Sequence, residues 1–352
     1  MPRPRRVMAA LAVALACAPG TFAYTDTPRT PPENIDLSKL QGPSAVDTAG
    51  WALEGVWEYK ADSLLFGGFS AMLVLRGDTL RAFSDRGTRL TLMEPDQPQP
   101  ERTAQHKHNP ARNVVRQLVA SGRARDLWDI ESATRDPETG AYWLGYEHAH
   151  ALHRFTIASE ADGLRDLAKE VDWYSNAGAE AMIRLSDGRF MILPEGGSEA
   201  LIYPGDPVAG GDPISVPFQT PAPGFAVTDI AQLPDGRLLL LLRDLDWGTG
   251  GWPPFASKLA IADLPVAGQE DAWTPTVTLD LTGIVPRENY EALGIRPRGD
   301  GTVTVWLMSD DNFSAFQRTL LAKLTFDPHA ARQRAADQDA ADAPPPKPAS
   351  GG

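Results

Sequence analysis

The chain of 352 residues contains a single cysteine, Cys17, inside an N-terminal leader. A chain cut behind that leader has none, which excludes disulfides, a cysteine nucleophile, thiolate zinc and iron–sulfur chemistry. Long apolar runs are missing as well. Beyond the leader, Leu238 to Leu242 is bounded by Arg237 and Arg243, far short of the roughly 20 residues a membrane helix needs, so no transmembrane segment is expected. Positive charge is scarce: 33 Lys and Arg stand against 46 Asp and Glu, a formal net charge of −13. That balance argues against nucleic acid or an anionic membrane as the main partner. It also repels a phosphate substrate unless local Arg or Lys, or bound cations, reverse the field. There is no Arg-His-Gly phosphatase motif, no His-Glu-x-x-His and no P-loop, so a covalent phosphohistidine or phosphocysteine route is out. Gly68-Phe69-Ser70-Ala71-Met72 begins like a nucleophile elbow. It carries Met72 where the second glycine belongs and leads into a strand, which argues against Ser70 as an acyl nucleophile.

Residues 1–23 have the layout of an export signal. Arg3, Arg5 and Arg6 form a basic region, Met8 to Ala18 is apolar but too short to span a bilayer, and Thr21-Phe22-Ala23 ends in a small residue. The mature chain is expected to begin near Tyr24, in the periplasm or outside the cell. Arg5-Arg6 also permits twin-arginine export beside the general route, although Val7-Met8-Ala9 is a loose match. Cys17 permits a lipid anchor, with Ala14-Leu15-Ala16 a poor context for it. Residues 24–328 are expected to form one domain. Residues 329–352, rich in Ala, Asp, Gln and Pro, are expected to be a disordered tail.

Thirty-one Gly and 31 Pro, with apolar runs of four to eight residues between them, fit many short strands and tight turns. A polar stretch, 24–50, is expected to wrap the surface, and Val56 to Ala61 is a first strand. One layout then recurs five times. A polar residue enters an apolar run, an Asp/Gly turn follows, and a β-rich run stops at a second polar residue. The pairs are Ser70 and Asp85, Glu131 and Glu147, Glu180 and Glu195, Asp229 and Arg243, and Glu291 and Asp310, separated by 15, 16, 15, 14 and 19 residues. Units of this kind, each a meander of three or four strands, bury both faces only by packing radially. The expected fold is therefore all-β, a propeller of five or six blades of antiparallel sheet. Val56 to Ala61 is expected to pair with the last unit and close the ring. A short helix is expected at Val114 to Ser121.

Gly68-Phe69-Ser70 with Ser84-Asp85-Arg86-Gly87, Asp129-Ile130-Glu131 with Glu147, and Asn289-Tyr290-Glu291-Ala292-Leu293 with Ser309-Asp310-Asp311-Asn312-Phe313 and Gln317-Arg318-Thr319-Leu320-Leu321 carry a resemblance. They resemble the phytase-like family described as having esterase-like activity, bacterial exported proteins with a propeller fold. The resemblance runs from Leu65 to Phe326 and implies a hydrolase of phosphoesters or carboxylic esters.

The residues themselves supply the candidate chemistry. If Glu131, Glu180, Asp229 and Glu291 hold equivalent blade positions, their carboxylates converge on one axis. Crowded carboxylates need Arg partners, protons or a hard cation. Oxygen ligands without thiolate suit Ca²⁺ better than zinc. The alternative is that these acids cap strands and bond to backbone N–H groups or to Arg86 and Arg243. In the hydrolytic reading Glu131, Glu291, Asp310 and Arg86 act on the ester, Asp85, Arg243, Glu147 and Glu195 hold the substrate, and the four entering acids hold the metal. His148 and His150, two apart in a strand with Glu147 ahead, share a face that would seat a divalent metal, but no partner motif accompanies them. With His153 they are expected to face solvent, as are His106 and His108. Trp247 and Trp252, on a Gly/Pro loop, offer a binding lip. The leading expectation is a monomeric, exported, cation-assisted hydrolase of a small ester or phosphoester. A non-catalytic envelope propeller that binds a ligand or protein, and a calcium-dependent lactonase-type propeller, remain as alternatives.

Overall fold

Leu238 to Leu242 shows how this chain is buried. Side chains along a strand alternate between the two faces of a sheet. Leu239 and Leu241 accordingly join one apolar cluster, while Leu238, Leu240 and Leu242 join another. A strand covered on both faces has no need of a polar side, which is why five leucines stand in a row.

The computed structural model describes residues 30–48, 50–98, 104–109, 129–171, 173, 178–248 and 251–333. The export signal, the helix expected at 114–121 and the tail beyond 333 lie outside them. Strands β1 (Asp36–Gln41), β2 (Ser44–Ala45) and β3 (Trp51–Lys60) precede the first complete sheet. Blade 1 contains β4 (Phe69–Val74), β5 (Thr79–Ser84), β6 (Thr88–Met93) and β7 (Gln105–His108). Blade 2 contains β8 (Ile130–Arg135), β9 (Tyr142–Tyr146), β10 (Ala151–Phe155) and β11 (Ala161–Asp166). Blade 3 contains β12 (Ala181–Arg184), β13 (Phe190–Leu193), β14 (Glu199–Tyr203) and β15 (Ile214–Pro217). Blade 4 contains β16 (Ala226–Gln232), β17 (Leu238–Leu245), β18 (Phe255–Ala262) and β19 (Thr276–Asp280). Blade 5 takes β20 (Asn289–Pro297), β21 (Val303–Asp310) and β22 (Thr319–Phe326) from the end of the chain and borrows β3 and β1 from its beginning.

The result is a five-bladed β-propeller of antiparallel sheets, which fixes the blade number that the repeat left at five or six. Each seam between blades is filled by its own apolar cluster. Phe83 and Leu144 meet between blades 1 and 2, Trp143 and Phe190 between 2 and 3, and Ile183 and Leu240 between 3 and 4. Leu241 and Leu293 meet between 4 and 5, and Trp306 and Phe69 between 5 and 1. Five seams for five sheets means that the ring is closed. The closure is the one the sequence predicts: β3 pairs antiparallel with β22 from Trp51 opposite Phe326 to Tyr59 opposite Thr319, so neither terminal strand leaves an open edge there.

The Asp/Gly signals become turns for a local reason. Asp187, Asp235 and Asp300 each accept the backbone N–H two residues on, at 3.0, 3.1 and 3.0 Å, which holds the reversal between the first and second strands of blades 3, 4 and 5. At the far end of the chain, residues 328–333 are helical. Ala331 packs against the seam between blades 4 and 5, so the first residues assigned to the tail have an apolar seat and keep regular structure. Among the described residues no helix is long and apolar enough to cross a membrane.

Candidate functional site

The innermost strands β4, β8, β16 and β20 share a defect at the same place. Their pairing with the second strand skips one residue: Ser70, Glu131, Thr228 and Glu291 respectively. A bulge of this kind re-aims the extra side chain away from the ladder. In blade 3, Glu180 holds the matching place directly ahead of β12, whose first pair is Ala181 with Leu193. The pair that follows the bulge sets the register of the second strand, and two residues further along that strand stand Asp85, Glu147, Glu195, Arg243 and Asp310. All these positions lie at one end of the ring.

This register corrects the alignment of blade 4. Thr228, not Asp229, is the counterpart of Glu131, Glu180 and Glu291, and a slip of one residue turns a side chain to the other face. Asp229 matches Ser132 instead, and both tie adjacent blades together. Ser132 Oγ donates to the carbonyl of Ala179. The Asp229 carboxylate accepts the N–H of Ile230 at 2.8 Å and, across the seam, that of Leu293 at 2.7 Å. Asp229 therefore does not join the acids it was grouped with.

The remaining acids do converge. Burial first, then the fields of Glu180, Asp129, Glu291 and Glu147, push the Glu131 carboxyl well above its usual range. Glu180 is raised by burial and by Glu195, Glu291 and Glu147, against the opposing pull of Arg243. Burial and a hydrogen bond shared with Asp129 push Glu147 up to about 8. Burial and Glu291 raise Glu195, which Arg243 partly restrains. Carboxylate oxygens of Glu147, Glu180 and Glu195 lie within 4.8 Å of one another. Two unit charges about 4 Å apart repel by about 4 kcal/mol at an effective dielectric near 20. Protonating an ordinary glutamate at pH 7 costs about 3.7 kcal/mol. Protons therefore win over full ionisation unless a cation is supplied.

Arg243 supplies one on the far side. Its Nη2 lies 3.3 Å from Glu195 Oε1 and 3.6 Å from Glu291 Oε1. Asn289 Nδ2 donates to Glu291 Oε1 at 2.9 Å and reaches Asp310 Oδ2 at 3.5 Å. Among the described residues, Arg243 Nε and Asn289 Oδ1 are buried without a hydrogen-bond partner. Asp310 is raised by burial and by Glu291, Asp85 and Asp311, and Asp85 by burial and Asp129. Arg243 thus compensates the acids of blades 3 and 5 that surround it, and blade 2, with Asp129, Glu131 and Glu147, holds the uncompensated ones.

On that uncompensated side, His148 Nδ1 contacts Asp129 Oδ2 and lies 3.2 Å from Glu147 Oε2. Asp129, Glu147 and His148 form a second compact set of donors that shares Glu147 with the first. Oxygen atoms on opposite sides of one Ca²⁺, at bond lengths of about 2.3–2.6 Å, stand about 4.6–5.2 Å apart. The carboxylate spacing fits such an ion, and the donor set is the oxygen-rich one it prefers. Gly178 permits this closeness: a Cβ there would fall 2.3 Å from Glu147 Cα.

Arg86 stands at the margin. Its Nη1 donates to the Leu64 carbonyl at 2.6 Å, and its guanidinium lies 3.4 Å from the Phe313 ring centroid. It lowers Asp85 and Asp311 but does not enter the Glu131–Glu195 group. Gly68 makes room for this corner, since a Cβ at its φ of +63° would lie 2.3 Å from Asp85 Oδ1 and from Phe313. Ser70 is buried within β4. Trp247 and Trp252 are exposed at the same end of the ring, with ring centroids 6.4 Å apart.

The histidine expectations need correction. His148 lies in the turn after β9, not in a strand. His150 is buried edge-on to Trp173, and His153 is buried between Tyr146 and Phe155. His106 is buried as well and meets Thr88 Oγ1 at 2.8 Å. Strand alternation alone could not see that outer strands of a propeller are also covered. Asn289 and Asp129 are site residues that the repeat pattern alone does not single out. Their spacing of two from Glu291 and Glu131 was the available signal.

The sequence profile of the phytase-like family, described as esterase-like activity of phytase, matches residues 64–313. No curated protein sequence matches the chain. Among solved structures, a protein described as a gluconolactonase is 10% identical with a TM-score of 0.43, covering 84% of this chain and 94% of its own. A luciferin-regenerating enzyme is 10% identical with a TM-score of 0.40, covering 82% and 95%. The β-propeller domain of Myceliophteria thermophila Cps50 (Swd1) is 9% identical with a TM-score of 0.39, covering 82% and 99%.

Proposed function

The chain belongs to the phytase-like family, and from that premise we propose that it is an exported, monomeric hydrolase of small phosphoesters or carboxylic esters, assisted by a hard divalent cation such as Ca²⁺. The observation that carries this reading is the asymmetric ring: Asp129, Glu131 and Glu147 of blade 2 crowd against Glu180, while Arg243 pairs with Glu195 and Glu291. Glu131, Glu147, Glu180 and Asp129, with His148, would hold the cation. Such an ion supplies Lewis acidity toward the ester oxygen and toward water, and relieves the repulsion among the carboxylates. Glu291 and Asp310 sit on the Arg243 side and shape the guanidinium.

The chain's own groups then do the proton work. Water oxygen bonds to the acyl carbon or phosphorus, and the bond from that atom to the alcohol oxygen breaks. An ionised ring carboxylate, Glu131 or Glu180, accepts the proton from water. The carboxyl that took the proton from water then gives it to the departing oxygen. Arg243 steadies the charge that develops on the oxygens left behind. Arg86, Asp85 and Glu195 border the site and orient the substrate.

The test is a hydrolysis panel of phosphoesters, carboxylic esters and lactones, run on the mature chain with Ca²⁺ and with chelator. Cation-dependent turnover abolished by Glu180→Gln supports the reading, and no turnover on any class removes it. A second reading, a non-catalytic propeller that binds a ligand, is favoured by one observation: Arg243 already neutralises half of the ring without any ion. In that case Glu180→Gln stabilises the protein and leaves ligand binding in place.

A further inference from the structure

Where β3 seals the ring against β22, a cavity of about 700 Å³ opens beside the acid ring. Small-molecule sites run from about 300 to 1,000 Å³. Its walls carry Phe66 and Phe313, and Phe316 stands on its rim with 70% of its surface exposed, the largest exposure of any described phenylalanine. Between these rings the polar groups are mixed. Asp36, Glu58, Asp62 and Asp311 are acceptors, and Lys60 and Arg318 are donors. Lys60 Nζ lies 3.1 Å from Glu58, and Arg318 Nε donates to Glu288 at 2.6 Å, which leaves the Nη groups of Arg318 unengaged among the described residues.

The cavity and the acid ring share a wall. Phe313 lines the cavity and carries the Arg86 guanidinium on its face, and the Leu64 carbonyl that accepts from Arg86 belongs to another lining residue. Asp310 in the ring and Asp311 on the cavity wall are consecutive residues, with Cα atoms about 3.8 Å apart. A single small molecule can therefore occupy both.

We propose that this cavity is the subsite for a neutral, hydroxylated ring, a sugar, which forms the alcohol part of the ester whose reacting bond lies over the acid ring; this rests on the hydrolase reading above. Three features select that chemistry. Donors and acceptors both line the wall, and a hydroxyl is the small neutral group that answers both. The excess of acids turns away an anion, while Lys60 beside Glu58 and Arg318 beside Glu288 break the field that would hold a cation. The exposed phenylalanine offers a flat apolar face to the C–H side of a ring, while its polar neighbours reach the hydroxyls. The hydrolysed alcohol stays in the cavity after the bond to the acyl carbon or phosphorus has broken.

Calorimetry on the mature chain tests this with methyl α-D-glucopyranoside as the neutral probe, and benzoate and benzyltrimethylammonium as the charged ones. The glucoside is expected to bind the wild type and to bind Phe316→Ala at least tenfold more weakly, with Asp62→Asn also weakened. Both variants should melt at the wild-type temperature, because the two side chains are exposed. An acetylated methyl glucoside should show a KM raised about tenfold by Phe316→Ala with kcat unchanged, while methyl acetate shows no difference. Absence of glucoside binding, equal binding to Phe316→Ala, or tighter binding of either charged probe overturns the proposal. If the glucoside binds as expected and no ester is cleaved, the cavity stands and the hydrolase reading falls. If esters are cleaved without sensitivity to Phe316, the hydrolase stands and the cavity falls.

Discussion

The carboxylate of Asp229 accepts the backbone N–H of Leu293 at 2.7 Å, across the seam between blades 4 and 5. It also accepts from Ile230, so two buried N–H groups depend on one side chain. Asp229→Ala should cost about 1–3 kcal/mol for each N–H left without a partner, while the response of the protein to divalent cations stays unchanged. Asp229→Asn keeps an acceptor and should recover part of the loss. Urea unfolding of the three proteins, with and without Ca²⁺, measures both effects. A lost cation response in Asp229→Ala would put the carboxylate back among the ligands.

The borrowed strand β3 makes a second point. It covers β22 along its length, and Trp57 and Tyr59 enter the seam between blades 5 and 1. A chain beginning at residue 62 leaves β22 as an open apolar edge, which invites aggregation. It should lose its cooperative melt and elute as aggregate in size-exclusion chromatography. A truncated protein that melts at the full-length temperature would mean that the ring closes without β3.

Burial of His153 between Tyr146 and Phe155 lowers its pKa from 6.5 to about 4. Between those values the unfolded chain binds a proton that the folded one refuses. The contribution of His153 to stability is therefore complete above about pH 6.5 and is lost as pH falls toward 4. His106 acts in the same direction, lowered to about 4 by burial and His108. His153→Phe should flatten part of the fall in melting temperature from pH 7 to pH 5, leaving the His106 share. An unchanged pH slope would show that His153 is protonated in the folded state.

A propeller of five or six blades, the ring closure and the second-strand positions were legible because they rest on things a sequence displays: a repeat period, Asp/Gly turns and polar residues at its ends. Asp85, Glu147, Glu195, Arg243 and Asp310 fall at one register position. Asp229 was misplaced because a bulge is invisible in sequence: Thr228 is the skipped residue, and an acid next door looks the better match. Spacing held the clue, since Thr228 to Arg243 restores the 15-residue interval seen in blades 1 and 3. Arg243 could be seen as a partner for acids, but which acids it meets depends on how five blades close. That geometry separates a compensated half of the ring from an uncompensated one.

That separation makes Glu180 and Arg243 move stability in opposite directions. Glu180 faces Glu195, Glu291 and Glu147, so Glu180→Gln removes the cost of charging or protonating a buried carboxyl there and should stabilise the protein in chelator. The same substitution removes a ligand and should shrink the stabilisation by Ca²⁺, which for the wild type amounts to about 2.7 kcal/mol at 100 times the dissociation constant. Arg243 is the cation that Glu291, Glu195, Glu180 and Asp310 all feel. Arg243→Met leaves those acids without it and should cost about 3–5 kcal/mol in chelator, as removal of one partner from a buried ion pair does. Added Ca²⁺ should then stabilise Arg243→Met by more than it stabilises the wild type, because the ring has lost its own counter-charge. Thermal melts of the three proteins in excess Ca²⁺ and in chelator decide the matter. If all three melt at the same temperature in both solutions, no cation is held by the ring. If Glu180→Gln keeps the full wild-type response, the ion sits elsewhere than among the acids of blades 2 and 3.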